Sequence, residues 1–469
     1  MRRRPSEFRA AFFDSHMHFG IMLSSIFDDK TPYCQNLMGI MDILDDSFVN
    51  TAIVFPFPDD FIGNDVLESQ EDNAQIRRIF EAVPYRLQNE RLLLEVEQTS
   101  RGNILPFMMF SLRYHIDRQI DFLSECMGRH EIYGLKYYAD ADGIPLSAFT
   151  ERGKPFIDWM VAHDMPLIVH TSAGTVLAGE GLSFPDDIVE LALQYPELRI
   201  CIAHMAHFSK SVFEQMASAK IPNLFLDTSP FLHLCNIRDV VRHPNCLELP
   251  YDSPADVLSY AVEMFPGQII WGSDYPFNFT CNLNNPCHDK NYAAYSYAAN
   301  MSVLAALPPY IRLRITHDNT MRFLFGEEEN ITLQLDEIYP ADEEKNYVPS
   351  RLYHIITKEE QRIVGKCTLR LGHNVNTYWG GNIGYFVEEE YRGNHFAYQA
   401  CCQLFEIAAK EGMDTVYITC NPDNIASRRT CEKLPGVFVG EFDIPEDNDM
   451  RLKGETRKCI FKYRVNMED

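Results

Sequence analysis

Two histidines one residue apart, His16 and His18, stand in the segment Phe12-Phe13-Asp14-Ser15-His16-Met17-His18-Phe19. An apolar run from Ala10 to Phe13 leads into them and predicts that they sit at the C-terminal end of a buried strand. Side chains two apart on a strand share a face, so Asp14, His16 and His18 are expected to point together into whatever the strand encloses. Two imidazoles held close by a rigid element form an unstrained pair of metal ligands. Asp14 could orient one imidazole as a hydrogen-bond acceptor; capping or solvation is an equally ordinary role for it.

These residues need elements to position them. Four further apolar runs end in polar residues: Tyr133 to Lys136, Pro166 to His170, Ile200 to His204 and Ile269 to Asp274. Other apolar runs cover Thr51 to Phe57, Ile104 to Leu112 and Leu224 to Thr228. Counting the first, eight strand candidates precede residue 280, and most intervals have room for a helix. That alternation predicts an α/β fold, a (β/α)8 TIM barrel, whose catalytic groups lie at the C-terminal ends of the strands. The polar residues fall at those ends on candidates one, four, five, six and eight.

Asp14-Ser15-His16-Met17-His18, Gly134-Leu135-Lys136, His170, Ala203-His204 and Trp271-Gly-Ser-Asp274-Tyr-Pro276 resemble the amidohydrolase superfamily. The branch containing aminocarboxymuconate-semialdehyde decarboxylase is the most similar, and Asn319 to Phe325 resembles that branch's closing helix, so the likeness spans about residues 9 to 326. The resemblance implies a divalent ion, usually zinc, on the residues matching His16, His18, His170 and Asp274, with His204 beside its water. In binuclear relatives a carboxylated lysine at the position of Lys136 bridges two metals; the mononuclear form is the favoured reading here. Zinc with an open position lowers the pKa of bound water from about 15.7 to about 7. Asp274 can then accept the proton and pass it to a leaving nitrogen, while His204 can polarise a scissile carbonyl. Arg113, after the third strand candidate, suits a substrate carboxylate, although a surface ion pair is the more common role. His207, His163, His115 and His130 fit no strand-end pattern and read as packed or solvated.

Length and composition frame this chemistry. The 469 residues exceed one core and imply two or three domains. A net charge of −25 argues against sequence-independent binding to nucleic acid or anionic membrane. No apolar run approaches the roughly 18 residues of a membrane span, and the basic Met1-Arg-Arg-Arg-Pro5 precedes no stretch resembling a signal peptide. Thirteen cysteines without a Cys-x-x-Cys pair suit reduced thiols in a cytoplasmic protein; Cys281 and Cys287 read as two unrelated residues of a loop. A homo-oligomer is compatible with the sequence.

Composition changes near residue 326, where Glu327-Glu-Glu329 and the acidic stretch Leu335 to Asn346 follow the last barrel helix. This marks a boundary between domains 1–326 and 327–469. In the second, Asn382 to Val387 reads as a strand, Arg392-Gly393-Asn394-His395-Phe396-Ala397 as a turn, and Tyr398 to Glu411 as an amphipathic helix. Backbone amides at such a helix start suit a pyrophosphate. Thr415 to Cys420 reads as another strand, followed by Asn421-Pro-Asp-Asn424-Ile-Ala-Ser427-Arg-Arg-Thr-Cys431-Glu-Lys-Leu434.

Residues 331 to 466 resemble the GNAT N-acetyltransferases. The likeness implies an α+β domain that cradles coenzyme A on Val387 and Arg392 to Ala397, with Asn424 near the pantetheine arm. His395 replaces a usual glycine, and Cys431 stands where many members have a tyrosine that protonates the leaving thiolate. The helical segment between the first two strands also looks short. Acetyl-CoA binding is therefore the better supported half of that activity. Together the domains suggest a bifunctional enzyme: metal-dependent hydrolysis of a C–N bond in a small molecule, and acetyl-CoA-dependent acylation of an amine. The alternative is a barrel acting alone, as hydrolase or decarboxylase, with the second domain sensing acyl-CoA or serving as a scaffold.

Overall fold

The apolar run before the histidine pair opens strand β1 (Phe13–Ile21), which pairs antiparallel with the short β2 (Cys34–Gln35) and parallel with β3 (Thr51–Pro56). In this computed structural model the described residues are 8, 11–22, 34–58, 83–99, 102–236, 242–277, 296–326, 331–358, 361–434, 436–446, 448–452 and 454–465. Cys281, Cys287 and Glu327 to Glu329 lie outside them. The parallel sheet continues through β4 (Ile104–Met109), β5 (Gly134–Tyr137), β6 (Leu167–Val169), β7 (Ile200–Ile202), β8 (Leu224–Asp227) and β9 (Ile269–Ile270), each beside its sequence neighbour.

Backbone bonds then join the end of this sheet to its beginning. Ser15 N–H donates to Trp271 O, Asp274 N–H to His16 O and His18 N–H to Tyr275 O, each at 2.8 Å. The result is a TIM barrel, as the alternation of elements predicts; the two-residue β2 was not expected.

Strand alternation sorts the barrel side chains into two cores. Leu135, Tyr137, Leu167, Val169, Ile200 and Ile202 pack outward against the helices. Phe13, Ile53, Phe55, Phe107, Ile168, Cys201 and Phe225 fill the interior, with Phe323 and Leu324 of helix α2 (Asn319–Phe325) among them. On strict alternation, an inward Phe13 would send His16 outward. The register of β1 on β3 instead shifts between Asp14 and Met17, so Met17 joins the outer core. A bulge of this kind re-aims the side chains that follow it, and it corrects the simple shared-face expectation for this strand.

Helix α1 (Arg86–Thr99) supplies a side chain to the sheet. Buried Asn89 donates through Nδ2 to Met109 O at 2.8 Å and accepts from Met109 N–H at 2.9 Å, completing the end of β4.

The chain separates into two compact units, Met1–Gly326 and Glu327–Asp469. The second contains β10 (Ile331–Tyr339), β11 (Ser350–Thr357), β12 (Ile363–Arg370), α3 (Val375–Gly380), β13 (Ile383–Val387), α4 (Phe396–Lys410), β14 (Thr415–Cys420), α5 (Ile425–Lys433), β15 (Val437–Asp443) and β16 (Arg457–Arg464). Part of the acidic stretch beginning at Leu335 forms a strand, and α4 begins two residues before the expected Tyr398. The sheet order is β10-β11-β12-β13-β14-β16-β15. Among the described residues no helix joins β10 to β11. No described helix is long and apolar enough to cross a membrane.

Replacing Asn89 by leucine would leave the Met109 amide and carbonyl buried without partners. Each such group costs about 1–3 kcal/mol, so Asn89→Leu is expected to lower stability by about 2–4 kcal/mol. Denaturant unfolding followed by circular dichroism checks this.

Candidate functional site

Closure of the barrel brings His16, His18 and Asp274 together, with donor atoms within 4.8 Å of one another. Asp274 Oδ1 lies 3.1 Å from Nε2 of each histidine. His16 Nδ1 is 2.8 Å from Asp227 Oδ2; a carboxylate only accepts, so the proton of a neutral ring sits on Nδ1. Nε2 then turns its lone pair toward Asp274. Two imidazole nitrogens and a carboxylate oxygen converging on one point form a donor set that suits a divalent transition ion.

Asp227 is the residue that sequence reasoning passed over. It is completely buried and accepts from His204 N–H at 3.0 Å and Ser229 N–H at 3.1 Å besides the His16 ring. Burial opposes its charge, yet His16 beside it holds the carboxyl well below the usual range. The available signal was its place at the end of Leu224 to Asp227, the same strand-end rule that marked the others.

Asp14 accepts from His16 N–H at 3.2 Å and Ser273 N–H at 3.0 Å, so it ties β1 to the Asp274 segment. Burial pushes its carboxyl up to about 6. Lys136 is buried with its Nζ lacking a hydrogen-bond partner, 4.7 Å from the Phe55 ring centroid. Burial lowers its pKa to about 8 against the opposing pull of Asp227 and Asp274.

His170 and His204 pair with each other rather than joining the convergent trio. His204 Nδ1 is 2.6 Å from Ser229 O and so carries the proton. His204 Nε2 therefore accepts from His170 Nδ1–H at 2.9 Å. Burial holds the His204 pKa down to about 3. The Tyr138 ring stacks on His170 with centroids 3.7 Å apart, a contact the sequence did not suggest.

Five consecutive residues after β7, His204 to Phe208, have φ between 47° and 62°. A left-handed turn of non-glycine residues is disfavoured by about 1–2 kcal/mol per residue. Contacts to Asp227, Ser229 and Thr171 hold it in place. His207, read as an ordinary packed residue, is buried here 5.6 Å from His204 between ring centroids.

Arg113 does not join the histidines. Its guanidinium lies 5.2 Å from the Tyr114 ring centroid and in the field of Asp142. His130 pairs with Glu97 at 2.7 Å and His163 bonds to Trp159 O at 2.8 Å.

In the second unit, β13 touches β14 at a single residue pair, Ile383 with Ile418. Buried Asn382 pins that end: its N–H donates to Tyr417 O, its Oδ1 accepts from Tyr417 N–H, and its Nδ2 donates to Arg370 O and Gly372 O. Beyond it, the part of β13 ending at Val387 runs free of β14.

The turn that follows carries Gly393 at φ 85° and His395 at φ 56°, immediately before α4. Its first intrahelical bond is Gln399 N–H to His395 O, so the amides of Phe396, Ala397 and Tyr398 precede the helical ladder. Arg392 Nε donates to Val387 O at 3.2 Å, and Asn394 Nδ2 to Tyr391 O at 3.0 Å. Asn424 caps α5 by accepting from Ser427 N–H at 3.1 Å. Cys431 is buried, and its Sγ lies 3.7 Å from Tyr385 Oη.

Asp227→Asn tests the tautomer argument. An amide facing Nδ1 drives the imidazole proton to Nε2 and removes the lone pair aimed at Asp274. Metal affinity is expected to fall about 10–100-fold, measured by competition with a chromogenic zinc chelator.

Residues 58–326 match the family model described as amidohydrolase, and residues 303–435 the model described as acetyltransferase (GNAT) domain. No curated protein matches the chain. Similar solved structures include a probable 2-pyrone-4,6-dicarboxylic acid hydrolase from Acinetobacter baumannii, 13% identical, covering 67% of this chain and 99% of that one at a TM-score of 0.41. Another is dihydroorotase from Campylobacter jejuni, 16% identical over 72% of this chain and 93% of that one, TM-score 0.37. A GNAT-family acetyltransferase from Bacillus anthracis is 19% identical over 24% of this chain and 66% of that one, TM-score 0.20. The chain belongs to the amidohydrolase family and carries a GNAT acetyltransferase domain after its barrel.

Proposed function

We propose that the chain is a bifunctional cytoplasmic enzyme. Its barrel hydrolyses an amide-type C–N bond of a small molecule, and its C-terminal unit transfers the acetyl group of acetyl-CoA to an amine. The observation that carries the first half is the convergence of His16 Nε2, His18 Nε2 and Asp274 Oδ1 within 4.8 Å. Zinc suits this set best, with His170 as a further ligand and a mononuclear site. Ten free cysteines among the described residues suit a reducing compartment.

When bound, the ion supplies Lewis acidity and a water acidic enough to ionise near neutral pH. Asp274 accepts the proton of the attacking water on its carboxylate and returns it to the leaving nitrogen. Asp227 fixes the His16 tautomer that exposes Nε2. His204 spends its N–H on Ser229 O, so we assign it to orienting His170 rather than to polarising a carbonyl. Arg113 stands apart from this cluster, which favours its pairing with Asp142 over recognition of a substrate carboxylate. Lys136 contributes positive charge beneath Asp274 and Asp227.

For the second half, the amides at the start of α4 face an anion with the positive end of a fifteen-residue helix behind them. The gap between β13 and β14 offers the pantetheine arm a backbone edge at Gly384 to Val387.

Elemental analysis of protein purified without chelator is expected to give about one divalent transition ion per chain. Asp274→Asn should abolish hydrolysis in samples whose metal content is measured alongside; a loaded variant retaining a tenth of the rate rules out the proton-accepting role. Calorimetry of the full chain is expected to show acetyl-CoA binding, abolished by Ala397→Glu, which sets a carboxylate against the phosphates. His395→Gly relieves a left-handed residue that costs about 1–2 kcal/mol against an entropic cost of about 0.5–1 kcal/mol for glycine, so stability should rise slightly with binding kept.

A further inference from the structure

The two faces of the sheet in the second unit are furnished differently. Along β14, Val416, Ile418 and Cys420 enter the core that α4 and α5 share through Leu404 and Cys431. Tyr417 and Thr419 therefore face the other way. Helix α3 lies against them there. Thr419 Oγ1 donates to Trp379 O at 2.9 Å, and the Tyr378 and Tyr417 rings meet with centroids 5.5 Å apart. Trp379 stands edge-on to Tyr378 at 5.4 Å, and His373 edge-on to Tyr417 at 5.8 Å.

None of these four rings belongs to the core of the unit. Tyr378, Trp379 and Tyr417 stay half-buried and His373 is exposed, whereas the chain's other two tryptophans, Trp159 and Trp271, are buried. The Tyr378 and Tyr417 hydroxyls and the Trp379 N–H make no hydrogen bond among the described residues. The patch is nevertheless held still. A six-residue helix is marginal by itself, and α3 is fastened at both ends. Asn374 caps its start by accepting from Thr377 N–H at 2.9 Å, and Arg370 Nη1 donates to Gly381 O at 2.8 Å just past its end. Rigid aromatic side chains with free polar edges, left uncovered, are a surface built to hold a ligand.

The position of the patch gives it a use. β13 and β14 touch at Ile383 and Ile418 and part beyond them. Thr419, the next residue of β14, carries Trp379 to the edge of that gap. A coenzyme whose phosphates sit at the start of α4 enters the gap from the α4 face, so a second substrate meets its thioester from the α3 face. On the reading that this unit binds acetyl-CoA and acetylates an amine, we propose that the α3 patch selects an acceptor amine carrying a planar aromatic ring. The ring packs against Trp379, Tyr378 and Tyr417 while the amine enters the gap beside Thr419. Arg370, positively charged at the end of α3, opposes a second cation over the rings, so a neutral ring is the guest that fits.

The full chain is first titrated with CoA by calorimetry, and the CoA complex is then titrated with phenethylamine and with cyclohexylethylamine. The two amines share charge, chain length and ring size, but only the first is flat and aromatic. The cyclohexyl compound is the more apolar, so unspecific apolar contact favours it instead. The wild type is expected to bind phenethylamine about tenfold more tightly. Trp379→Leu and Tyr417→Leu keep the backbone groups that fasten α3 and β14, and each should cut that preference to about twofold or less with CoA affinity unchanged. A variant that loses CoA affinity has lost its fold, and the other then decides. The proposal is overturned if the wild-type complex binds the two amines alike or binds neither, or if the preference persists in the variants that keep CoA affinity. Absence of CoA binding by the wild type is a separate result: it removes the acetyl-CoA reading, and this proposal with it.

Discussion

Three backbone hydrogen bonds at the seam of the barrel govern the chemistry of the first unit. They run between Ser15 and Trp271, His16 and Asp274, and His18 and Tyr275. A carboxylate more than 250 residues away thereby comes within 3.1 Å of two imidazoles. Contacts of such separation form only after the intervening helices and strands have condensed, because loop closure must be met before the contact stabilises anything. The cluster is thus a product of the closed barrel, and its geometry is as rigid as the strands that carry it.

Burial makes that geometry exacting. Asp14, His16, Asp227 and Lys136 are all at most 1% exposed, and an unpaired charge at such depth is strongly disfavoured. The structure answers with shared partners. Asp227 serves a ring, two backbone amides and a hydroxyl. Asp14 joins the first strand to the Asp274 segment through two amides. Lys136 lacks a hydrogen-bond partner among the described residues, and its cation lies over the Phe55 ring in the field of the Asp227 and Asp274 carboxylates. The apolar interior below, from Phe13 to Phe225, keeps water from screening these interactions.

Much of this was legible from residue types and spacing. Apolar runs identified every parallel strand of the barrel, because strands buried on both faces need continuous apolar sequence. Asn319 to Phe325 is helical over the expected residues. The bulge between Asp14 and Met17 escaped notice because register depends on the partner strand, and alternation within one strand does not encode it. Asp227 was missed although it obeys the strand-end rule. The pairing of His170 with His204 follows from the conformation after β7, which no propensity of Met205 or Ala206 suggests. In the second unit, the left-handed state of His395 fits its place at a customary glycine. The approach of Tyr385 to Cys431 had no linear signal, since it links a strand and a helix that meet only through tertiary packing.

The left-handed turn from His204 to Phe208 bears on how this barrel can drift or be adapted to heat. With φ near 50° throughout, proline cannot enter any of the five positions and β-branched residues enter only at high cost. Glycine fits without strain. At about 1–2 kcal/mol each, the five residues together withhold an amount comparable to the whole stability of a domain, about 5–15 kcal/mol. Ala206 carries the smallest side chain of the five, so a lineage moving to warmer conditions could recover stability there by glycine replacement, at the expense of the stiffness with which the backbone presents His204, whereas truncating Met205, buried in the core, would leave a cavity.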